Sequence, residues 1–415
     1  MSAIKIKDLE WESIIEIQRV DSIRRNKKEI DTPKSNESAS IISRAITNNK
    51  QGISSSNNAK NINKSILEAY KTAKLMPENE SLPKILSKAQ FANKKFNYKN
   101  FDEKKLIDSA QEINSLIADK APLLELSISK LLTKIVYLNH LGARLELEND
   151  SLICSLEVGK DNRTGSNASI LLSKKPNIKA FVNQALEQYD YSKKLAKPAS
   201  GNYPVILCHR ALSAAINPIL FSLKGDNVYD KKSRYEKSLG KKELYKGLTI
   251  IDNPYEPNNR SYYDCEANKT KKTALVKNGV INSFIHDSFT SKKLGMANTH
   301  NSGNIMIKPS VSYHCVQIKG KDKFDQMVKS VKNGFLIYDL YPNHTINNTT
   351  GAFGQNSSTF YHVRNGEVEG LCKGYVIMGN SYELFKKDLE ISKETRNDQA
   401  ENVGAIKINA KILKN

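Results

Sequence analysis

The sequence predicts an α+β protein, in which an N-terminal α/β region of antiparallel strands and helices precedes a β-rich C-terminal region with a few helices. Two observations support this class. Stretches that alternate apolar and polar residues are separated by tight turns, and amphipathic stretches of helical period occur only between groups of them. A regular βαβ alternation, which would indicate a parallel sheet, is not seen.

The first hundred residues combine strand and helix patterns. Strands are predicted at 3–22 and 41–46, and the Ser/Asn-rich segment 51–61 is predicted to be a loop. Apolar residues recur at helical spacing over 65–76, which predicts a helix with Ser65 as its N-cap.

The middle of the chain repeats this combination. An amphipathic helix is predicted at 102–122, antiparallel strands between 123 and 172 around the turn Asn139–Gly142, and a second helix at 179–195. The Pro/Gly/Ser-rich junction 197–204 is typical of a domain boundary. We therefore expect three domains, at 1–100, 101–198 and 199–415.

The C-terminal region begins with a strand at 205–208 and an amphipathic helix whose apolar stripe runs from Leu212 to Leu223. Pro218 lies within this helix and is expected to kink or split it. Two hairpins are predicted at Asn278-Gly279 and Asn365-Gly366, and a strand, a turn and a final helix follow.

Composition limits the classes of function. The formal net charge of +20 suggests nucleic acid as a partner, but Lys is spread along the whole chain without a dense Arg and aromatic cluster, so we expect none. No apolar run approaches the roughly 20 residues of a membrane helix, and the N-terminus lacks a signal peptide pattern. The five Cys are far apart and odd in number, which favours a reducing cytoplasm and no disulfide framework.

The residues with catalytic potential do not form a recognisable set. None of the seven His is followed by Glu, and no two His lie within five residues, which excludes the HExxH zinc motif. Neither a G-x-S-x-G elbow nor a Walker A loop is present. We therefore expect no catalytic residue and no metal ligand. Asp264 and Glu266 are predicted either to line a cleft or to anchor a loop.

The second half of the chain resembles the TldD/PmbA family of zinc-dependent peptidases, also described as modulators of DNA gyrase. The segment 248–295 is similar to the family's pattern of Asp-x-Pro, Asp-x-Glu, a strand, Gly and His-Asp before Lys-Leu-Gly. The segment 334–354 is similar to the family's strand followed by His-x-x-Asn-x-x-x-Gly-x-Phe. That pattern falls on His344, Asn347, Gly351 and Phe353.

The resemblance separates two branches of the family. The catalytic branch, TldD, carries His-Glu-x-x-x-His on the helix that precedes a Gly-Asp pair. Here Gly225-Asp226 is present, but the preceding turns from Ala214 to Leu220 hold no His or carboxylate. This difference resembles the PmbA branch, also named TldE, which implies a chain without its own cofactor that is inactive alone.

The PmbA/TldE resemblance also implies a partner and a substrate. It implies a heterodimer with a TldD-like subunit that carries the zinc, a homodimer when that subunit is missing, and cleavage of unfolded or short peptides. The residues that would hold the peptide are those of the His-to-Phe pattern, together with polar residues of the cavity wall at Asp264, Glu266 and Asn304. An interaction with a membrane is not implied.

Two alternatives remain open from the sequence. One alternative to the zinc-free subunit is a peptidase that acts by itself as a homodimer. The other is a nucleic-acid-associated modulator of DNA gyrase. Loss of peptide cleavage on chelation would support the first. Binding of duplex DNA with a steep inverse dependence on salt would support the second.

Overall fold

The computed structural model describes most of the chain. The described residues are 6–26, 34–79, 82, 85, 94–98, 103–160, 163–171, 177–256, 260–264, 266, 268–302, 310–340, 346–398 and 401–414. They contain two β-sheets with helices packed on them, so the predicted α+β class is confirmed.

The first sheet has seven described strands, which pair in the order β3-β2-β1-β5-β6-β4, with β7 also on β6. All of these pairs are antiparallel except β4 with β6. The strands are β1 (Glu10–Asn26), β2 (Lys34–Thr47), β3 (Lys50–Ser56), β4 (Lys94–Tyr98), β5 (Leu123–Asn139), β6 (Arg144–Lys160) and β7 (Arg163–Leu171). The helices are α1 (Ile62–Leu75), α2 (Glu103–Ile117) and α3 (Ile178–Ser192).

The turn between β5 and β6 lies where the sequence predicts it. The Asn139 side-chain oxygen accepts hydrogen bonds from the backbone N–H groups of Leu141 and Ala143, at 3.1 and 3.0 Å. Gly142 has φ +77, a conformation that glycine adopts without steric cost. These local bonds fix the register of two strands that are each 17 residues long.

Two details of the N-terminal prediction are wrong. Most of the predicted loop 51–61 is strand β3, because Asn48 and Asn49 adopt φ 49 and 56 and form a tight turn back from β2. Ser65 is not the N-cap of α1. The helix begins one turn earlier, where the Asn61 side chain accepts a hydrogen bond from the Lys64 N–H at 3.1 Å.

The second sheet has twelve described strands. Its longest path runs β11-β10-β9-β12-β19-β8-β13-β15-β16, while β17 and β18 pair with β19 and β14 pairs with β17. The strands are β8 (Gly201–Leu207), β9 (Ile250–Asp252), β10 (Thr273–Lys277), β11 (Val280–Ile281), β12 (Val316–Ile318), β13 (Asn333–Ile337), β14 (Ala352–Asn356), β15 (Phe360–Arg364), β16 (Glu367–Leu371), β17 (Tyr375–Asn380), β18 (Glu390–Asp398) and β19 (Glu401–Lys414).

Five described helices accompany this sheet. They are α4 (His209–Ser222), α5 (Gly225–Tyr229), α6 (Ser288–Leu294), α7 (Phe324–Lys329) and α8 (Ser381–Leu384). The predicted final helix is therefore only the four residues of α8, and strand β18 follows it. Among the helices of the described ranges, none is both long and apolar enough to cross a membrane.

Helix α4 occupies the centre of the larger hydrophobic core. Its apolar side chains are almost fully buried together with strands β8, β13 and β19. Pro218 does not split the helix, which runs unbroken from His209 to Ser222. Because Pro218 lacks an N–H, the turn before it loses one internal hydrogen bond. Nearby side chains of α8 bond to this part of the helix: the Ser381 hydroxyl donates to the Ala215 carbonyl at 2.6 Å.

The two sheets are joined by packing and by hydrogen bonds. The Tyr338 hydroxyl, at the end of β13, donates to the Glu187 carboxylate of α3 at 3.2 Å. Tyr263, in the loop before β10, packs against a buried cluster of the first sheet that includes Tyr137 and Leu145. The division into three domains at residues 100 and 198 stays a prediction.

Candidate functional site

The helix that would carry a zinc motif has no set of metal donors. Between Ala211 and Ser222, α4 contains no His, Cys, Asp or Glu. Its polar side chains bond elsewhere: Asn217 donates to the Asn348 side chain at 3.0 Å, and Ser213 donates to Glu401. These residues do not fit a zinc ion, which needs His, Cys or carboxylate donors.

Other metal ligands are not brought together in the described part of the chain. No group of three or more His, Cys, Asp or Glu side chains lies there close enough to hold a metal ion. Cys372 is buried, and burial raises the pKa of its thiol to about 12, so it stays protonated at neutral pH.

The loop of the predicted His-to-Phe pattern is a tight turn built by Asn347. Its side-chain oxygen accepts hydrogen bonds from the N–H groups of Thr349 and Thr350, at 3.1 and 2.9 Å, and its carbonyl accepts one from the Gly351 N–H at 2.7 Å. Gly351 has φ +77, and a Cβ there would lie 2.4 Å from Cδ2 of Tyr382. Only glycine fits this position without moving the Tyr382 ring.

Tyr382 connects this turn to α4. Its hydroxyl lies 2.8 Å from the Asn348 carbonyl, 3.0 Å from the Pro218 carbonyl and 2.6 Å from the Ser222 hydroxyl. The residue order of the Asn-to-Phe pattern therefore has a structural reason. The turn must present its backbone to a tyrosine that is buried against the helix.

A groove of about 630 Å³ lies beside this turn and is lined by residues of β14, β17 and β19. Asn347 and Phe353 both line it, together with Met378 and Lys411, which lie opposite each other on β17 and β19. Met378 is 39% exposed, and the neighbouring Gly354 of β14 adds no side chain. The groove is therefore mainly apolar, with one cation at its edge.

Asp264 and Glu266 form a second cluster, which is buried. Asp264 Oδ1 accepts hydrogen bonds from the N–H groups of Glu266 and Asn268, at 3.1 and 2.8 Å. Glu266 Oε2 accepts bonds from both the N–H and the hydroxyl of Ser288, at 3.1 and 2.6 Å. The two carboxylates are 2% and 3% exposed, so they hold the loop against α6 and do not line an open cleft.

The electrostatics of Glu266 are unusual. Burial, and next the negative charge of Asp264, raise the pKa of Glu266 to about 8, although the Ser288 bond and the cation of Arg44 oppose the shift. Glu266 Oε1 is buried and accepts no hydrogen bond from a described residue. Arg44 belongs to the first sheet, where its Nε donates to the buried Glu12 carboxylate at 2.6 Å. Glu266 therefore lies at the junction of the two sheets.

The Gly-Asp pair after α4 packs on the His-Asp pair before α6. The Gly225 N–H donates to the Ile285 carbonyl at 2.8 Å, and a Cβ on Gly225 would lie 2.3 Å from Nδ1 of His286. Asp287 caps α6 by accepting a hydrogen bond from the Thr290 N–H at 2.7 Å. The sequence contains both pairs but does not show that they touch, because residues 227–285 lie between them.

The predicted site residues thus fall into separate places. Asn347, Gly351 and Phe353 lie together, and Asp264 and Glu266 lie together, but no described hydrogen bond joins the two groups. Asn304 and His344 lie outside the described residues. Their assignment to peptide binding stays a prediction.

Residues 200–412 match the model of the PmbA/TldA metallopeptidase C-terminal domain. A metalloprotease of Methanothermobacter thermautotrophicus is 28% identical over 204 residues, which are 46% of this chain and 43% of that protein. A metalloprotease of Methanocaldococcus jannaschii is 27% identical over 387 residues, 85% of this chain and 84% of that protein.

The fold is shared over nearly the whole chain. The crystal structure of TldE from Thermococcus kodakarensis superimposes with a TM-score of 0.87 at 20% identity, over 97% of this chain and 96% of that one. Because the C-terminal domain model matches about half of this chain's residues, the chain belongs to the PmbA/TldD metallopeptidase family.

Proposed function

We propose that this chain is a zinc-free, TldE-like subunit of a two-subunit peptidase. A TldD-like partner would carry the zinc and the catalytic residues, and this chain would contribute part of the cavity wall and of the peptide-binding surface. The observation that carries the proposal is α4, whose polar side chains are already bonded to Asn348 and Glu401 where a zinc site would need His and carboxylate donors. We expect the pair to work in the cytoplasm.

The groove beside Asn347 is the surface we assign to the peptide. Its apolar lining, with Phe353 and Met378, suits the side chain of an unfolded peptide, and Lys411 suits a nearby negative charge. Gly354 leaves room for a backbone to approach β14 closely. Asp264 and Glu266 would contribute indirectly, by fixing the loop between the two sheets.

The test is zinc content followed by reconstitution. The purified chain, after mild dialysis, is expected to hold no zinc by elemental analysis and to cleave no unfolded peptide. Addition of a subunit with the His-Glu-x-x-x-His motif is expected to form a heterodimer and produce cleavage that a chelator abolishes. One zinc per isolated chain, or chelator-sensitive cleavage without any partner, would overturn the proposal and favour a homodimeric peptidase.

A further inference from the structure

The segments around strand β10 form a strongly basic surface. Residues 236–246 and 269–297, about a tenth of the chain, contain ten Lys and three acidic residues, so they hold seven of the formal net charge of +20. All ten Lys are exposed. Of the acids, Glu236 is exposed, Glu243 is half-buried and Asp287 is buried. The excess positive charge of these segments therefore faces solvent.

An open groove of about 440 Å³ lies within this surface. Its lining includes the aliphatic side chains of Leu239 and Met296, of which the first is 47% exposed and the second half-buried. Lys271 and Lys272 line the same groove. The Lys271 ammonium donates a hydrogen bond to the Asn298 carbonyl at 2.6 Å, which restrains one of the two cations. The groove thus presents accessible aliphatic surface next to positive charge.

This combination limits the chemistry of an occupant. A basic peptide is repelled by the excess positive charge. A small inorganic anion leaves Leu239 and Met296 uncovered. Single-stranded nucleic acid is bound on exposed aromatic rings on which its bases stack, but the aromatic side chain in the groove wall, Phe284, is only 1% exposed. An occupant that matches both features carries carboxylates and an aliphatic group together.

We propose that this groove docks acidic segments of unfolded polypeptides, in which an aliphatic side chain is flanked by Asp or Glu. The aliphatic side chain covers Leu239 and Met296, and the carboxylates pair with Lys271 and Lys272. The choice of an unfolded polypeptide rests on the proposed function, and it narrows the substrates of the peptidase to an acidic class. The groove shares no described lining residue with the groove at Asn347, so docking here is separate from binding there.

The experiment is a fluorescence anisotropy titration of the isolated chain with a labelled peptide that repeats Asp-Leu-Glu-Ser. We expect this peptide to bind with an affinity that falls as the salt concentration rises. The same peptide with Lys in place of both acids should not bind. Replacement of its Leu by Ser should weaken binding about fivefold, because the aliphatic contact is lost.

Substitutions at exposed positions test the groove in the chain itself. Lys271→Glu with Lys272→Glu should weaken binding of the acidic peptide about tenfold, because two attractions become repulsions. Leu239→Ser should weaken it about fivefold. The matched control is Lys104→Glu with Lys105→Glu, an adjacent exposed pair on α2, which changes the net charge equally and should bind as the unmodified chain does. Urea unfolding verifies that each variant is folded.

Three results would overturn the inference. Equal weakening by the two charge reversals would mean attraction to the net charge of the whole chain. Unchanged binding by Leu239→Ser, or of the peptide that has Ser in place of Leu, would leave the groove without a role. Equal affinity for duplex DNA would identify a general surface for polyanions. These measurements need no catalytic subunit and no zinc, so their failure is distinguishable from failure to reconstitute a zinc peptidase.

Discussion

Removal of the charge at Glu266 should change how the stability of the protein depends on pH. Glu266 is 3% exposed, and burial with the negative charge of Asp264 raises its pKa from 4.5 to about 8. Glu266→Gln keeps the size of the side chain and an oxygen that can accept from Ser288. The variant therefore imitates the protonated carboxyl at every pH.

The direction in which the free energy of unfolding changes with pH follows from proton binding to Glu266. The folded chain binds this proton more tightly than the unfolded chain, so its stabilising contribution is complete below pH 4.5. Between pH 4.5 and about 8 the unfolded chain has lost the proton while the folded chain keeps it, and the free energy of unfolding decreases as pH rises. The difference between the two pKa values corresponds to on the order of 5 kcal/mol.

Urea unfolding at pH 5, 7 and 9 is the assay. The variant and the unmodified protein should be similarly stable at pH 5. At pH 9 Glu266→Gln should be the more stable by several kcal/mol, within the limit of about 5 kcal/mol that the difference between the two pKa values sets. Glu367→Gln, at an exposed position of β16, is the control and should give no such trend. A constant difference between Glu266→Gln and the unmodified protein from pH 5 to pH 9 would refute the reasoning.

Two further substitutions test packing and charge. Gly351→Ala should destabilise the protein by about 1–3 kcal/mol, because the new methyl group meets the Tyr382 ring at a residue with φ +77. Gly142 also has φ +77 but no neighbour within 4 Å of an added Cβ, so Gly142→Ala should destabilise the protein by only about 1 kcal/mol. Equal costs at the two glycines, measured by urea unfolding, would contradict the contact. Arg44→Met should cost about 3–5 kcal/mol, because it leaves the Glu12 carboxylate buried without its cation. The double variant with Glu12→Gln should recover much of that loss, and a cost below about 1 kcal/mol for Arg44→Met alone would argue against a buried pair.

Local patterns in the sequence were sufficient where neighbouring residues decide the structure. The turns at Asn139–Gly142, Asn278-Gly279 and Asn365-Gly366 lie where they are predicted, because a tight turn depends on a few adjacent backbone angles. The loop predicted at 51–61 is wrong over residues 51–56, because pairing with β2 and packing on α1 make a strand from these mostly polar residues. A polar segment can join a sheet when its neighbours bury it, and its own composition does not show this.

The sequence by itself determined the α+β class, the order of the family's motifs and the lack of His and carboxylate between Ala211 and Ser222 of α4. Only the tertiary structure decided that Asp264 and Glu266 are buried at the junction of the two sheets, and that Gly225 rests on His286. The physical reason is that burial and hydrogen bonding depend on contacts between residues distant in the chain, which spacing along the sequence does not encode.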